Sequence, residues 1–257
     1  LKHRIATIFF ISLLVLLALW SFFAAVSGWV FIAILLVWFA TNAIGSALIQ
    51  LNYHVKAFCN NPSERQNKIA LTFDDGPNQN TLRILEILKR YDTPATFFCI
   101  GKNIEKHPDI LRQIVADGHL IGNHSYSHSH FFDFYRKDRV VHELRETDNL
   151  ILEITGKKAL FFRPPYGVTN PSIRRALAVT KHLVIGWNIR SMDGVSKNSN
   201  AIFNRIVKRL SPGSVVLLHD TRTETANLLE QLLLTVAEKN YEVVSIEQLL
   251  DLKAYEN

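Results

Sequence analysis

The sequence predicts an α/β fold of the TIM-like kind, a distorted seven-stranded (β/α) barrel preceded by an α-helical membrane anchor. Three observations carry this prediction. Apolar runs of strand length alternate with helix-period segments from residue 68 onward, the pattern of parallel strands joined by crossover helices. The chemically capable polar residues fall just after those apolar runs, at the strand ends where such folds build their sites. The start of the chain, by contrast, is one long uncharged apolar stretch.

That stretch comes first. From Ile5 to Ile49 there is no Asp, Glu, Lys, Arg or His. One crossing of the hydrocarbon takes about 20 apolar residues, so the run suits two helices with a turn near Ser27-Gly28. A cleavable signal peptide has an apolar core of only roughly 7–15 residues, and a buried soluble hairpin would need something polar to relieve a face. Residues 1–50 are therefore expected to form a two-helix anchor in a cell membrane, with the lipid bilayer as partner. Lys2 and Arg4 precede it and Lys56, Arg65 and Lys68 follow it, which places both flanks on one side, cytoplasmic by charge bias. The sequence does not begin with Met, so the number of crossings and the side both stay open.

Residues 51–67 lose the apolar character and read as a linker. Residues 68–257 then give seven strand–helix units. "KIALTF" precedes "TLRILEILKRY", in which Leu82, Leu85 and Leu88 recur at helical spacing; "ATFFCI" precedes "PDILRQIVADG", with Pro at its start and Gly at its end. "HLIGNH", "ALFF", "HLVIGWNI", "SVVLLH" and "YEVVSI" are the remaining strands, each followed by a helical segment. The net charge of +6 is spread along the chain, which fits attraction to anionic lipid or an anionic polymer. No basic helix or aromatic–basic module points to nucleic acid, and no protein partner is implied. Cys59 and Cys99 make no metal pattern and no convincing disulfide.

On this layout Asp74 and Asp75 follow the first strand, His124 and His128 the third, Arg163 the fourth and Asp193 the fifth, and His219 ends the sixth. Two adjacent aspartates in "TFDDGP" could merely start a turn. Histidines four apart in "NHSYSHSH" can face one way on a helical turn and share a metal ion, and a carboxylate from another strand end completes a two-His-one-carboxylate set. One divalent ion is expected, Zn²⁺ foremost, with Co²⁺, Ni²⁺ and Mn²⁺ as alternatives. Of the pair of aspartates, one can bind the ion and the other take a proton from the water it activates. His130 lies off the spacing and is expected to be exposed, as is His142 on its helix; His119 is expected to be structural. The aromatic "HFFDFYRK" is expected to pack beneath a loop.

In their order and separations, "TFDDGP", "HSYSH", "RPPYG", "RSMDG" and "LLHD" resemble the five motifs of the polysaccharide deacetylase family, the NodB homology domain, over about residues 68–250. The resemblance implies Asp74 as general base, with Asp75, His124 and His128 as metal ligands. It implies that Arg163 holds catalytic carboxylates and that the Tyr166 backbone N–H is an oxyanion donor, with Pro165 beside it in the substrate site. Asp193 would orient the acid His219, and Leu217 would line the pocket for the acetyl methyl. The fourth motif departs from the Asp-Ser-x-Asp-Trp of many members: here it reads Arg190-Ser191-Met192-Asp193-Gly194, keeping the Asp and losing the Trp. The implied activity is metal-dependent removal of N-acetyl groups from glycans containing N-acetylhexosamine, of the peptidoglycan or chitin type. O-deacetylation of acetylated sugars is the alternative, and a non-catalytic glycan-binding protein a further one. Members of the family usually work outside the cytoplasmic membrane, which conflicts with the charge bias of the hairpin.

Overall fold

The computed structural model describes residues 2–256. Two long helices open the chain, α1 (Lys2–Trp20) and α2 (Gly28–Ala47), with the turn between them where the sequence placed it. Both are long and apolar enough to cross a membrane, and almost none of their surface is buried within the protein. At about 1.5 Å per residue each spans about 30 Å, the thickness of a bilayer core.

The segment expected to be a linker is instead part of the fold. After a 3₁₀ turn (Ile49–Leu51) it supplies a short strand, β1 (Ala57–Phe58). The strands that follow are β2 (Lys68–Asp74), β3 (Thr96–Cys99), β4 (Leu120–Asn123), β5 (Phe161–Phe162), β6 (Leu183–Ile185), β7 (Ile189–Arg190), β8 (Val215–His219) and β9 (Glu242–Val243). The helices between them are α3 (Gln79–Arg90), α4 (Gly101–Lys106), α5 (Pro108–Ala116), α6 (Lys137–Thr155), α7 (Pro171–Thr180), α8 (Ser199–Val207), α9 (Thr223–Glu238) and α10 (Ile246–Leu250). Every ladder is parallel, in the order β1-β6-β5-β4-β3-β2-β8-β7, with β9 against the start of β2.

The run "HLVIGWNI", expected as one strand, is two. Its halves, β6 and β7, lie toward opposite ends of the ladder order, with only Gly186–Asn188 between them. Four residue steps reach at most about 14 Å at 3.3–3.6 Å each, so the sheet must curl until its two ends meet. The barrel is thus closed by the chain itself rather than by a last ladder.

Strand alternation decides which side chains enter the barrel. On β2, Ile69, Leu71 and Phe73 pack outward in one core cluster with residues of α3, α5, α8 and α9, including Ile84, Leu111, Ile206 and Leu232. The intervening Ala70, Thr72 and Asp74 face inward. Val216 and Leu218 of β8 join the outer cluster, while Val215 and Leu217 join a second one. On α3 the buried stripe is Ile84, Leu85, Ile87 and Leu88, so Leu82, expected on that face, is half exposed.

The hairpin sits on the barrel's carboxyl-terminal rim. Ser46 O, in the last turn of α2, accepts from Thr169 N at 3.0 Å, and Gln50 Nε2 donates to Trp187 O at 2.8 Å. Gly45 lies flat beneath the Tyr53 ring, where a Cβ would overlap it.

Candidate active site

Arg163 organises the inside of the barrel. Its side chain is fully buried over the Phe98 ring, 4.1 Å from the centroid. Nε donates to Ile185 O at 3.0 Å and Nη2 to Gly186 O at 2.9 Å, both at the seam of the sheet. Nη1 donates to Thr72 Oγ1 at 2.9 Å and to Asp74 Oδ1 at 2.6 Å. A guanidinium keeps its charge even when buried, so it holds a buried carboxylate beside it. The resemblance implied that Arg163 holds catalytic carboxylates, and its carboxylate contact here is Asp74.

Asp75, His124 and His128 converge. Their ligand atoms all lie within 4.8 Å of one another, with Asp75 Oδ1 3.5 Å from Nε2 of each histidine. The expected helical turn is absent: the histidines lie in a loop after β4, with positive φ at Ser125 (62°) and His128 (45°). Asp75 itself has φ 79°, a bend that carries it off the line of β2 and leaves Asp74 pointing inward alone. The other oxygen of Asp74 lies 3.7 Å from His124 Nε2.

The donor set fits a divalent transition ion. His124 Nδ1–H donates to Arg163 O at 2.7 Å, which fixes the tautomer and turns the Nε2 lone pair toward Asp75. Burial would raise Asp75, but the His124, His128 and His219 imidazoles outweigh it and hold the carboxyl well below the usual range. Burial and the charge of His124 push His128 down to about 4, so it is a neutral donor at physiological pH. Burial would lower His124 too, but Asp74 and Asp75 outweigh it and draw positive charge to Nε2. A divalent cation supplies that same charge in place of a proton.

Across the pocket His219, at the end of β8, is clamped by Asp193. Asp193 Oδ1 accepts from His219 Nδ1 at 2.7 Å and from Ser191 Oγ at 2.6 Å; Oδ2 accepts from His219 N at 2.7 Å and Thr225 Oγ1 at 2.6 Å. Burial opposes charge on His219, but the Asp193 carboxylate overrides it and raises the imidazole to about 9. His219 lines a cavity of about 320 Å³ with Asp74, Asp75, His124 and His128, together with Tyr166, Trp187 and Leu217. Tyr166 has φ 59° and Gly167 φ 71°; a Cβ on Gly167 would run into the Trp187 indole. Pro165, expected beside the substrate, is buried and is not part of the cavity wall. Gly194, where the resembled motif has Trp, lies flat against the His219 ring.

Sequence reasoning missed several contributors. Glu143 Oε2 accepts from Ser127 N (2.7 Å) and Ser127 Oγ (2.8 Å), and Asn123 Oδ1 from Ser125 N (2.8 Å), so both pin the histidine loop. Glu143 had a signal: with Thr147 it lies within the buried stripe Val140, Leu144 and Ile151 of α6. His130 is exposed as expected, yet its Nδ1 shares a 2.7 Å hydrogen bond with the Tyr166 hydroxyl. Asp220 is fully buried against Gly76, accepts from Thr81 Oγ1 at 2.7 Å, and is raised to about 7 by burial and by the charges of Asp75 and Asp74. Arg190 and Arg222 also line the cavity. His119 is buried and His142 exposed, as expected, and both cysteines are free.

Residues 61–184 match the model of the polysaccharide deacetylase family. The chain is 31% identical over 189 residues to the peptidoglycan-N-acetylmuramic acid deacetylase PdaC of Bacillus subtilis, covering 73% of this chain but only 40% of that protein. The solved structure of PdaC matches with TM-score 0.69 at 30% identity, over 73% of this chain and 91% of that one. A peptidoglycan-N-acetylglucosamine deacetylase of Bacillus cereus is 33% identical over 189 residues, covering 69% of each chain. A CE4 family pseudoenzyme from Bacillus anthracis matches as well, with TM-score 0.68 at 28% identity over 73% of this chain and 66% of that one. Likeness of fold therefore does not by itself carry catalysis, which rests on the side chains. The chain belongs to the polysaccharide deacetylase family.

Proposed function

We propose that the chain is a membrane-anchored, metal-dependent deacetylase that hydrolyses the acetamide of N-acetylhexosamine-containing glycans. The observation that carries this reading is a carboxylate and an imidazole, each held by an oppositely charged partner, facing each other across one cavity. Asp74 stands beside the Asp75–His124–His128 cluster, held by Arg163; His219 stands opposite, held by Asp193.

Asp75, His124 and His128 would hold the ion, with Zn²⁺ matching the two-nitrogen, one-oxygen donor set. When bound, it supplies Lewis acidity to the acetyl oxygen and acidifies a water. Asp74 takes the proton of the attacking water; the Arg163 guanidinium holds it aimed at that point. The Tyr166 backbone N–H offers a hydrogen bond to the oxygen that gains charge, and Leu217 shapes the acetyl end of the cavity. His219, protonated through Asp193, delivers a proton to the departing nitrogen. An amide needs that proton because an amine anion is a poor leaving group, and this supports N-deacetylation. The peptidoglycan deacetylases among the relatives support a cell-wall type of glycan.

Helices α1 and α2 support residues 1–50 as the membrane anchor, and β1 supports counting residues from 51 onward with the catalytic domain. The test is acetate release from N-acetylglucosamine oligomers and peptidoglycan fragments, before and after chelation and after Zn²⁺ is restored. Release that chelation abolishes and Zn²⁺ restores is expected. Release indifferent to chelation would defeat the metal assignment.

A further inference from the structure

The end of α2 is fixed to the rim that carries the active site. Ser46 O holds Thr169 N, and Gln50 holds the carbonyl of Trp187, a residue of the cavity wall. Gln50 lies three residues beyond the end of α2. If α2 crosses the bilayer, the cavity opens within a few residues' length of the hydrocarbon.

A second observation concerns the next segment of the rim. Asn170 Nδ2, one residue past Thr169, donates to Asp133 O at 2.5 Å and so ties the 3₁₀ turn Phe132–Phe134 to the foot of the hairpin. Phe132 is buried beneath it, as the sequence led one to expect, but Phe131 and Phe134 are 69% and 78% exposed. With Val195 (74%), a residue of the cavity wall, they are the most exposed large apolar side chains beyond residue 51 among the described residues. Water penalises such side chains and the edge of a bilayer accepts them.

The third observation is charge. Arg190 and Arg222 line the cavity, and among the described residues neither has a carboxylate within 4.0 Å. Arg222 is steadied by donating Nη2–H to Gly194 O at 2.6 Å. A neutral acetamido sugar needs no such pair. Guanidinium forks beside a small cavity match a phosphate or a carboxylate.

We propose that the catalytic rim faces the bilayer and that the substrate is a glycolipid in the membrane, its acetamido sugar joined to the lipid through phosphate. The inference rests on the deacetylase and anchor readings above. Arg190 and Arg222 hold the phosphate, and Phe131, Phe134 and Val195 enter the membrane edge beside the hairpin.

The full chain in liposomes is given N-acetylglucosamine in three forms: linked to polyprenyl diphosphate, linked to a neutral dialkylglycerol, and as a water-soluble tetramer. The expected order of kcat/KM places the diphosphate lipid first by about 100-fold or more over the tetramer, as two charge-assisted contacts and membrane co-localisation would give. Arg190→Ala and Arg222→Ala should each cut the diphosphate-to-neutral lipid ratio on the order of tenfold. Phe131→Asp with Phe134→Asp should raise KM for both lipid forms relative to the tetramer. A tetramer turned over as well as the diphosphate lipid overturns the proposal and leaves the deacetylase reading intact. A neutral lipid as good as the charged one overturns the phosphate assignment, and places the anion that the arginines meet on the sugar. Acetate from none of the three overturns the deacetylase reading itself.

Discussion

Asp74 and Asp75 are neighbours in sequence with opposite surroundings, one gripped by Arg163 inside the barrel and the other turned toward two imidazoles. Asp75→Ala should therefore lose the bound ion, measured by metal content after purification. Asp74→Asn should keep the ion while kcat falls by roughly 10²–10⁴, the usual worth of a general base. A site that loses its ion with Asp74→Asn would reverse the two roles. For His219 the sign is equally definite. Its pKa is raised to about 9, so the imidazolium persists below that pH and is lost as pH rises through it; kcat should fall along that alkaline limb. Asp193→Asn removes the charge that does most to override burial, and the limb should move to lower pH. His219→Ala should slow amide substrates far more than activated acetate esters, whose leaving groups need no proton. Equal slowing of both would assign His219 to the oxyanion or to structure.

At the scale of elements, the loop after β4 shows how a flexible-looking segment becomes a precise one. Its backbone polar groups are tied to Asn123 and to Glu143 on α6, so the helix acts as a template for the histidines. Glu143→Ala frees Ser127 and should weaken metal affinity by about 10–100-fold, read by competition with a chelator, with the fold retained. The strand–helix alternation and the strand-end residues were legible because period-2 and period-3.6 patterns and the carboxyl-end rule are local features of sequence. The histidine geometry was not: a spacing of four suits a helical turn, and only tertiary ties select a loop with positive φ at Ser125 and His128. β1 escaped notice because two residues, Ala57 and Phe58, are too few to show a period. The break in "HLVIGWNI" had one signal, Gly186, an isolated glycine in an apolar run. A Cβ there would strike the Cys59 sulfur, so the glycine marks the close approach of residues 51–67, expected as a linker.

For the whole molecule, the hairpin makes a topological demand. With Cys59 and Cys99 replaced, single cysteines at Arg4, at Ser27 and at Lys137 can be probed in intact cells with a membrane-impermeant thiol reagent. The first and third should react alike and the second oppositely; a difference between the first and third means a single crossing. The side itself then decides whether the charge bias or the habit of the family prevails. The seam between β6 and β7 has a consequence of a different order. Ile185 O and Gly186 O, on the interrupted strand, and Asp74, on β2, are bound to one guanidinium. Ring closure and the placement of the base are thus linked thermodynamically, because neither can change without altering the same cation's partners. Breaking a buried ion pair from one side costs about 3–5 kcal/mol, so Arg163→Met should lower global stability by that order as well as activity. In native-state hydrogen exchange, the amides of β2, β5 and β6 should lose protection together in that variant, as one cooperative unit. Separate loss strand by strand would mean the barrel holds its closure without the charge at its centre.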